Sequence, residues 1–252
     1  WPYMVQYRET HFDFVSRLLE YEGFYYYFED DGTLVIGDQS SAEDDVPLLS
    51  VFELREGEGA LAHGSVGITS FARGSVASSG KATVSDYNWK TPSTPLLASK
   101  QAGRDGDLEI YDYPTGHRDP GQAAVLARLR QEAQVAERVF VRGTSTVPWL
   151  SPGRQFTFVH AEAFDFSGKY TLVRCEHRFV AAAGQEDRGS YENAFFAIPA
   201  ETPWRPRLET PRPVVMGNHT ALVRGPVGEE IHTDKFGRAK VQFHWDREAK
   251  QT

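Results

Sequence analysis

The sequence has little cysteine: Cys175 is the single one among 252 residues. One cysteine excludes an internal disulfide and any metal site built from several thiolates. Cys175 lies in an apolar run at 170–175, which favours a buried, inert thiol over a nucleophile. No run approaches the roughly 18 consecutive apolar residues that a membrane-spanning helix requires. The sequence therefore predicts no integral membrane segment.

A secretory signal pattern and an initiator methionine are also lacking at residues 1–4, WPYM. We therefore expect a segment of a longer polypeptide, exported, if at all, by a route that uses no signal peptide. Positive charge is scarce as well, with 27 Lys and Arg against 35 Asp and Glu and a formal net charge of -8. Nucleic-acid binding needs a surplus of basic side chains on one face, so the charge argues against that partner.

Catalytic and metal-binding patterns are absent or weak. The eight histidines include no pair at three- to five-residue spacing, and they are His11, His63, His117, His160, His177, His219, His232 and His244. Neither a Gly-x-Ser-x-Gly elbow nor a phosphate-binding loop is present. The acidic runs 43–45 and 229–230 leave a glycosidase pair open, although such runs are usually solvated loops. We expect no cofactor, no metal and no enzymatic activity.

Aromatic residues make up 13% of the chain, which favours a sheet-rich fold. Residues 9–22 predict an amphipathic helix that Thr10 caps and Gly23 ends. The aromatic run 24–28 and residues 34–36, separated by a turn, predict a hairpin. Sugar stacking is the alternative for that run, but its attachment to the helix favours a core hairpin. Residues 1–50 are therefore predicted to form a small α+β unit, a helix packed on a hairpin.

Residues 51–198 predict mostly strands. Alternating strands are expected at 66–71, 82–87 and 108–113, with a loop containing Pro92 and Pro95 before the last of them. A helix is predicted at 119–138, because Asp119 is a good N-cap and Pro120 suits the first helical position. Further strands are expected between 139 and 198. Closely spaced strands with intervening turns suggest a barrel or a sandwich.

Proline marks a boundary near the end of the chain. Five prolines lie within 199–213, namely Pro199, Pro203, Pro206, Pro211 and Pro213. This density predicts an extended linker. Beyond it, residues 220–223 and 239–245 predict strands, the latter with Ala, Val, Phe and Trp on one face. About forty residues are too few to close a barrel, so 214–252 is expected to be the beginning of a truncated domain.

Several strings together resemble the VgrG family, the spike proteins of type VI secretion. They are VQYRET at 5–10, EGFYYYF at 22–28, YDYP at 111–114, LSPG at 150–153, AIPA at 197–200, WRP at 204–206 and GEEIHTDKFGRAKVQFHWDR at 228–247. They occur in the family's order across essentially the whole chain. Two small departures, Thr10-His11 for Ser-Asp and Ala239 for Val, still suit a helix cap and a strand.

The resemblance implies a fold and a role. The fold is a phage-tail-hub-like tube β-barrel domain at 51–198, covered by the helix 119–138, with the α+β unit before it. Residues 214–252 would begin an OB-type barrel, and the family's first tube domain and β-helical needle would lie outside the chain. The implied assembly is a homotrimer that caps an Hcp-like hexameric tube protein, transmits force, and carries a PAAR-like tip protein and effectors. It would assemble in the bacterial cytoplasm and be secreted through the contractile apparatus.

The resemblance also implies a set of structural signature residues. They are Tyr7, Arg17, Glu20, Gly23, Tyr113, Pro152, Gly153, Asp234, Gly237, Arg238, Trp245 and Asp246. Two other readings stay open from the residues alone: a carbohydrate-binding or peptidoglycan-hydrolysing tail module, and a generic β-rich adaptor. A phage or tailocin hub is not separated from a secretion spike at this point.

Overall fold

The computed structural model describes residues 4–29, 31–40, 43–55, 66–161, 164–181, 189–226, 228–229 and 232–247. These residues belong to two compact units. The larger unit is Glu9–Pro211, and the smaller one combines Trp1–Arg8 with Arg212–Thr252. In chain order the elements are α1 (His11–Glu22), β1 (Tyr25–Phe28), β2 (Leu34–Gly37), β3 (Val51–Glu53), β4 (Ile68–Ser75), β5 (Lys81–Asp86), β6 (Leu96–Gln101), β7 (Glu109–Asp112), α2 (Pro120–Val135), β8 (Val139–Ser145), β9 (Gln155–Val159), β10 (Gly168–Val180), β11 (Ser190–Pro199), β12 (Ala221–Arg224) and β13 (Lys240–Phe243).

The predicted first helix is confirmed, and its caps explain its limits. The Thr10 hydroxyl oxygen accepts a hydrogen bond from the backbone N–H of Asp13 at 3.0 Å. That bond satisfies one of the amides that a helix start leaves without an internal partner. At the other end Gly23 adopts φ 77°, and its N–H donates to Glu20. A left-handed residue at this position is the usual way to end a helix.

The predicted hairpin follows directly as β1 and β2, which pair antiparallel. Its two faces differ. Tyr26 and Phe28 share one face with Ile36 and Leu34, their cross-strand partners. Tyr25 is on the other face and is buried, as expected of a hairpin that contributes to a core.

Six strands form the main sheet, in the order β3-β9-β10-β11-β8-β4. All neighbours are antiparallel except β3 and β9, which are parallel. The two edge strands meet at one end, where Leu54 bridges to Ile68 and the Arg55 N–H donates to the Ile68 carbonyl at 2.9 Å. The sheet is therefore curled into a half-barrel. The prediction of a mainly β fold with a barrel-like sheet is confirmed.

The curl encloses one hydrophobic core. Its buried members are Val46, Phe52, Ile68, Val141, Val147, Leu150, Phe156, Phe158, Tyr170, Leu172, Phe195 and Ala197. They come from strands and loops spread over 150 residues of chain, so the core is built from long-range contacts. Phe71 stacks on Phe158 with ring centroids 3.7 Å apart. Such aromatic packing contributes beyond simple burial of area.

A second, three-stranded sheet has the order β6-β5-β7, and α2 packs on it. The predicted cap of α2 is confirmed, because the Asp119 carboxylate accepts from the N–H of Gln122 at 3.0 Å. The helix is shorter than predicted and ends at Val135. The prediction of a loop before residue 108 is wrong over Leu96–Gln101, which forms β6. Only the first residue of β6 is buried, so its sequence shows little strand periodicity.

The proline-rich residues 199–211, here called the strap, pack on the larger unit. The Ala200 N–H donates to the Lys169 carbonyl at 2.9 Å, and the Trp204 N–H donates to the Ser40 hydroxyl at 2.8 Å. In the smaller unit β12 and β13 form a two-stranded antiparallel sheet, which confirms the two strands predicted there. Neither helix in the described part of the chain has the length and apolar character needed to span a membrane.

Candidate functional site: two helices, the strap and the closing turn

Glu20, a signature residue of α1, holds the end of the strap. One of its carboxylate oxygens accepts from the backbone N–H groups of Glu209 and Thr210, at 3.1 and 2.9 Å. The other oxygen accepts from the Thr210 hydroxyl at 2.6 Å. Hydrogen bonds to an ionised acceptor are shorter and stronger than neutral ones. Glu20 therefore attaches a chain segment 190 residues away in sequence to the last turns of α1.

Arg205 fastens the middle of the strap to three elements. Its Nε lies 2.8 Å from the Glu132 carboxylate of α2, and both side chains are largely buried. Its Nη1 donates to the carbonyl of Gly23 at 3.0 Å, at the end of α1, and also to the carbonyl of Asp38. The guanidinium group, with its rigid array of donors, suits such a multiple attachment. Beside it, Trp204 contacts Tyr25 edge to face, with centroids 5.7 Å apart.

Arg17 fixes the start of α1. It forms a two-point ion pair with Glu9, with Nε and Nη2 at 2.7 and 2.8 Å from the two carboxylate oxygens. The pair is largely shielded from solvent, since the two side chains are 12% and 7% exposed. The guanidinium also lies 4.9 Å from the ring centroid of Phe14. Two parallel hydrogen bonds of this kind give geometric specificity as well as energy.

Two signature glycines permit close packing. A β-carbon on Gly23 would lie 2.6 Å from Leu129 of α2, and one on Gly153 would lie 2.4 Å from the ring of Tyr27. Both residues also have positive φ, which L side chains rarely adopt. Gly153 follows Pro152 in a turn, and its N–H donates to the carbonyl of Leu172 at 2.9 Å. The glycine positions bring α1 against α2, and the hairpin against the half-barrel.

The hairpin tyrosines share one carboxylate. Both Tyr25 and Tyr27 donate to Glu43, the latter at 3.1 Å. Burial raises the pKa of both phenols above their ordinary value, and the hydrogen bonds and charge of Glu43 add to the effect. Each tyrosine therefore stays a neutral donor, and the acidic run 43–45 is tied into the fold. Asp45 is paired in turn with Lys169 at 2.8 Å.

In the smaller unit, Asp234 organises the signature turn. Its carboxylate accepts from the N–H groups of Phe236 and Arg238 at 2.8 and 3.0 Å, and from Arg238 Nε at 2.6 Å. The Arg238 hydrogen bonds are the main reason that the pKa of Asp234 falls from 3.8 to about 2. Gly237 supplies φ 74° in the same turn. Three signature residues thus form one local motif.

An aromatic cluster surrounds Trp245. Its ring stacks on Phe243, with centroids 5.1 Å apart and planes 7° from parallel. Tyr7 lies 5.4 Å away, and the Trp245 indole N–H donates to His219 at 3.4 Å. The N–H of Asp246 donates to the Phe243 carbonyl at 3.0 Å, which closes the turn after β13. The cluster joins residue 7 to the hairpin 221–243.

Tyr113 lies in a different place from the other signature residues. It comes directly after β7, is 56% exposed, and its peptide bond to Pro114 is cis. Within the larger unit the signature residues therefore fall into several separate groups. Reasoning from the sequence missed the partners Glu9, Glu43, Glu132 and Thr210, and it noted Arg205 only as part of a landmark. A charged residue between two prolines was the available signal at Arg205.

Metal binding and nucleophilic catalysis were the chemical roles to test at the histidines and at Cys175. In the described ranges, no group of three or more His, Cys, Asp and Glu is placed to hold a metal ion. Burial raises the pKa of the Cys175 thiol to about 11, so the thiolate that a nucleophile needs is disfavoured. Buried His117 is held on both sides, by Thr115 at 2.6 Å and by the Leu96 carbonyl at 2.8 Å. The two hydrogen bonds of His117 join the segment after β7 to the start of β6.

The sequence matches known proteins along nearly its whole length. The profile of the phage tail baseplate hub family (GPD) matches residues 1–183. The type VI secretion system spike protein VgrG1b of Pseudomonas aeruginosa is 35% identical over 266 residues, which is 98% of this chain and 34% of VgrG1b. VgrG1c of the same organism is 36% identical over 260 residues, which is 98% of this chain and 35% of VgrG1c. The chain spans about a third of the length of these curated relatives.

Solved structures share the fold. An Escherichia coli protein, described as a type VI secretion component with structural similarity to the T4 bacteriophage tail proteins gp27 and gp5, superposes with a TM-score of 0.55. It is 23% identical, with 94% of this chain and 50% of that chain covered. A 43 kDa prophage MuSo2 tail protein from Shewanella oneidensis gives 0.55 at 10% identity, covering 80% of this chain and 58% of that one.

The family match over residues 1–183 defines the class as a tail hub, and solved tail proteins share the overall fold. The chain belongs to the phage tail baseplate hub family, and the relatives it matches are VgrG spike proteins, the family that its sequence resembles.

Proposed function

We propose that the chain is a structural hub and spike component of a contractile injection machine of the type VI secretion kind. The observation that carries the proposal is the half-barrel, because a solved type VI secretion component shares this fold. Relatives of the chain that are named as secretion spike proteins support the same role. The signature residues support a mechanical role, since their contacts fix helices, turns and the strap. Hydrogen-bonded sheet with few open edges suits a part that must transmit force.

The chain assembles as a homotrimer in this proposal. Support comes from β10, which pairs with β9 only over 168–171 and continues to Val180. In the part of the chain that the structure describes, residues 174–180 pair only with β11 and leave the other edge open. Phe179 near the end of this edge is 70% exposed. An open strand edge with exposed apolar side chains is a template for pairing with another chain.

Each region has a part in this assembly. Residues 51–198 act as the tube-forming domain that caps an Hcp-like hexameric tube protein, with 1–50 as a small α+β unit. Residues 199–213 connect it to 214–252, the beginning of an OB-type barrel. A PAAR-like tip protein and effectors are carried by parts of the relatives outside this chain. The complex assembles in the cytoplasm and is secreted through the contractile apparatus, where it transmits force for puncture and effector delivery.

The proposed role is non-enzymatic. Its alternative, a carbohydrate-binding or peptidoglycan-hydrolysing tail module, would need accessible carboxylates placed around a glycan. The candidates Glu43 and Asp45 are instead bound to tyrosines and a lysine, and Glu229 lies 2.8 Å from His232. Release of soluble fragments from peptidoglycan by the purified chain, abolished by Glu43→Ala with Asp45→Ala, would establish the alternative.

The deciding experiment is the absolute mass of the full-length gene product in solution, by light scattering after size exclusion at micromolar concentration. A mass of three chains supports the hub. A clean monomer contradicts it and favours an adaptor or a tail enzyme. The 252-residue chain measured alongside it reports whether this segment contributes to assembly.

A further inference from the structure

The strap is an unusual connection, because it is both stiff and fastened. Prolines 199, 203, 206 and 211 restrict its backbone and remove amide donors. Hydrogen-bond donors along the strap attach it to the rest of the larger unit. The N–H groups of Ala200 and Trp204 donate to Lys169 and Ser40. The Arg205 side chain donates to Glu132 of α2 and to the Gly23 carbonyl at the end of α1. The last fastening comes at Glu209 and Thr210, directly before the larger unit ends at Pro211.

This last fastening depends on one side chain. Both backbone amides and the hydroxyl of Thr210 donate to the single carboxylate of Glu20, at distances between 2.6 and 3.1 Å. Glu20 lies near the end of α1, whose following residue pair Gly23 and Phe24 closes the helix. Removing the carboxylate leaves the N–H and the hydroxyl of Thr210 without this acceptor, while the Glu209 N–H keeps the Arg207 carbonyl at 3.1 Å and the fastening at Arg205 stays in place.

We propose that Glu20 is a latch. It holds the C-terminal end of the strap on α1, so that tension applied to the chain beyond residue 211 enters α1 and, through Arg205, α2. Without any fastening, the 12 residues after β11 could extend to a span of about 40 Å before the load reached the half-barrel. The latch removes that slack. Its part in force transmission rests on the proposed function, whereas the latch itself is a property of the fold.

Trypsin gives a direct readout, because the strap contains one susceptible bond, Arg207–Leu208. The bonds after Arg205 and Arg212 precede prolines and are resistant. Arg207 is exposed, so protection of its bond depends on how firmly the strap is held. We expect Glu20→Ala to raise the rate of cleavage at this bond at least tenfold, followed by mass spectrometry. The matched control is Glu22→Ala, an exposed carboxylate in the same helix, which should leave the rate unchanged.

Hydrogen exchange separates local release from loss of the fold. In Glu20→Ala the amides of Glu209 and Thr210 should exchange faster, and those of β10 and β11 should keep their protection. Thr210→Val removes only the hydroxyl donor and should raise cleavage by a smaller factor, about threefold. It carries the test if Glu20→Ala fails to fold. Unchanged cleavage and exchange in both variants would overturn the latch.

The latch and the proposed function can fail separately. A full-length product that is monomeric but shows Glu20-dependent protection of residues 209 and 210 contradicts the hub and keeps the latch. A trimer whose strap is equally protected with and without the Glu20 carboxylate keeps the hub and contradicts the latch.

Discussion

The two units of the chain are stabilised in different ways. The larger unit contains all the buried residues of the described chain, including Phe156, Phe158 and Leu172 at or below 1% exposure. In the described residues of the smaller unit no side chain is buried, and order rests on the Asp234 turn and the aromatic contacts of Trp245. A two-stranded sheet alone is at best marginally stable. Signature residues occur in both units, so these residues identify local turns, as at Asp234, as well as close packing, as at Gly153.

The largest expected effect is the loss of a core ring. Phe156→Ala removes a side chain that is fully buried between Phe52, Tyr170 and Phe195, and it should lower the free energy of unfolding of the larger unit by about 3–5 kcal/mol. Urea unfolding followed by near-ultraviolet circular dichroism measures the change. Leu222→Ala in β12, 49% exposed, should change it by less than about 0.5 kcal/mol. Similar losses in both variants would contradict the contrast between the units.

The next largest difference is expected between alanine substitutions at two signature glycines, Gly153 in the larger unit and Gly237 in the smaller unit. Gly153→Ala imposes both a left-handed backbone and a contact with Tyr27, whereas Gly237→Ala, at φ 74°, has nothing within 4 Å of the new β-carbon. The backbone cost is about 1–2 kcal/mol at either position, so Gly153→Ala should exceed Gly237→Ala by the cost of displacing the ring. Chemical denaturation measures the first, and hydrogen exchange of β12 and β13 measures the second. Equal costs would mean that the Tyr27 ring moves away freely.

The aromatic cluster should affect only the smaller unit. Trp245→Ala removes the stack on Phe243 and the contact with Tyr7, together about 1 kcal/mol, which corresponds to a roughly fivefold rise in amide exchange in β12 and β13. Exchange in β10 and β11 serves as the internal control and should not change. Faster exchange there as well would show that the two sets of strands are not independent in stability.

Local signals made much of the fold predictable. Thr10, Gly23 and Asp119 identify the helix ends from the chemistry of neighbouring residues, and the structure has the same caps. The strand β6 was missed because its burial depends on α2 and β5, which no local pattern reports. The partners of Glu20 and Arg17 could not be predicted either. Glu20 and Thr210 are 190 residues apart, and nothing at either position specifies the other.

The smallest effect concerns pH and is specific to the Asp234 turn. Because the pKa of Asp234 in the folded chain is about 2, below the ordinary 3.8, its stabilising contribution is complete above about pH 4. It is lost as the pH falls towards 2, when the carboxylate takes up a proton and no longer accepts from Arg238. Carboxyl ¹³C shifts measured against pH should give this low value, and Arg238→Ala should return the pKa towards 3.8.

Lys235→Ala is the matched control for that titration. It removes a neighbouring cation whose ammonium faces the Phe236 ring, whereas the main cause of the lowered pKa of Asp234 is hydrogen bonding from Arg238. The low pKa should therefore persist in Lys235→Ala. An equal rise in both variants would mean that general positive charge, rather than the hydrogen bonds of Arg238, lowers the pKa. In that case the Arg238 side chain would not be the specific partner that stabilises the charged carboxylate of Asp234, although the backbone N–H groups of Phe236 and Arg238 would still donate to it.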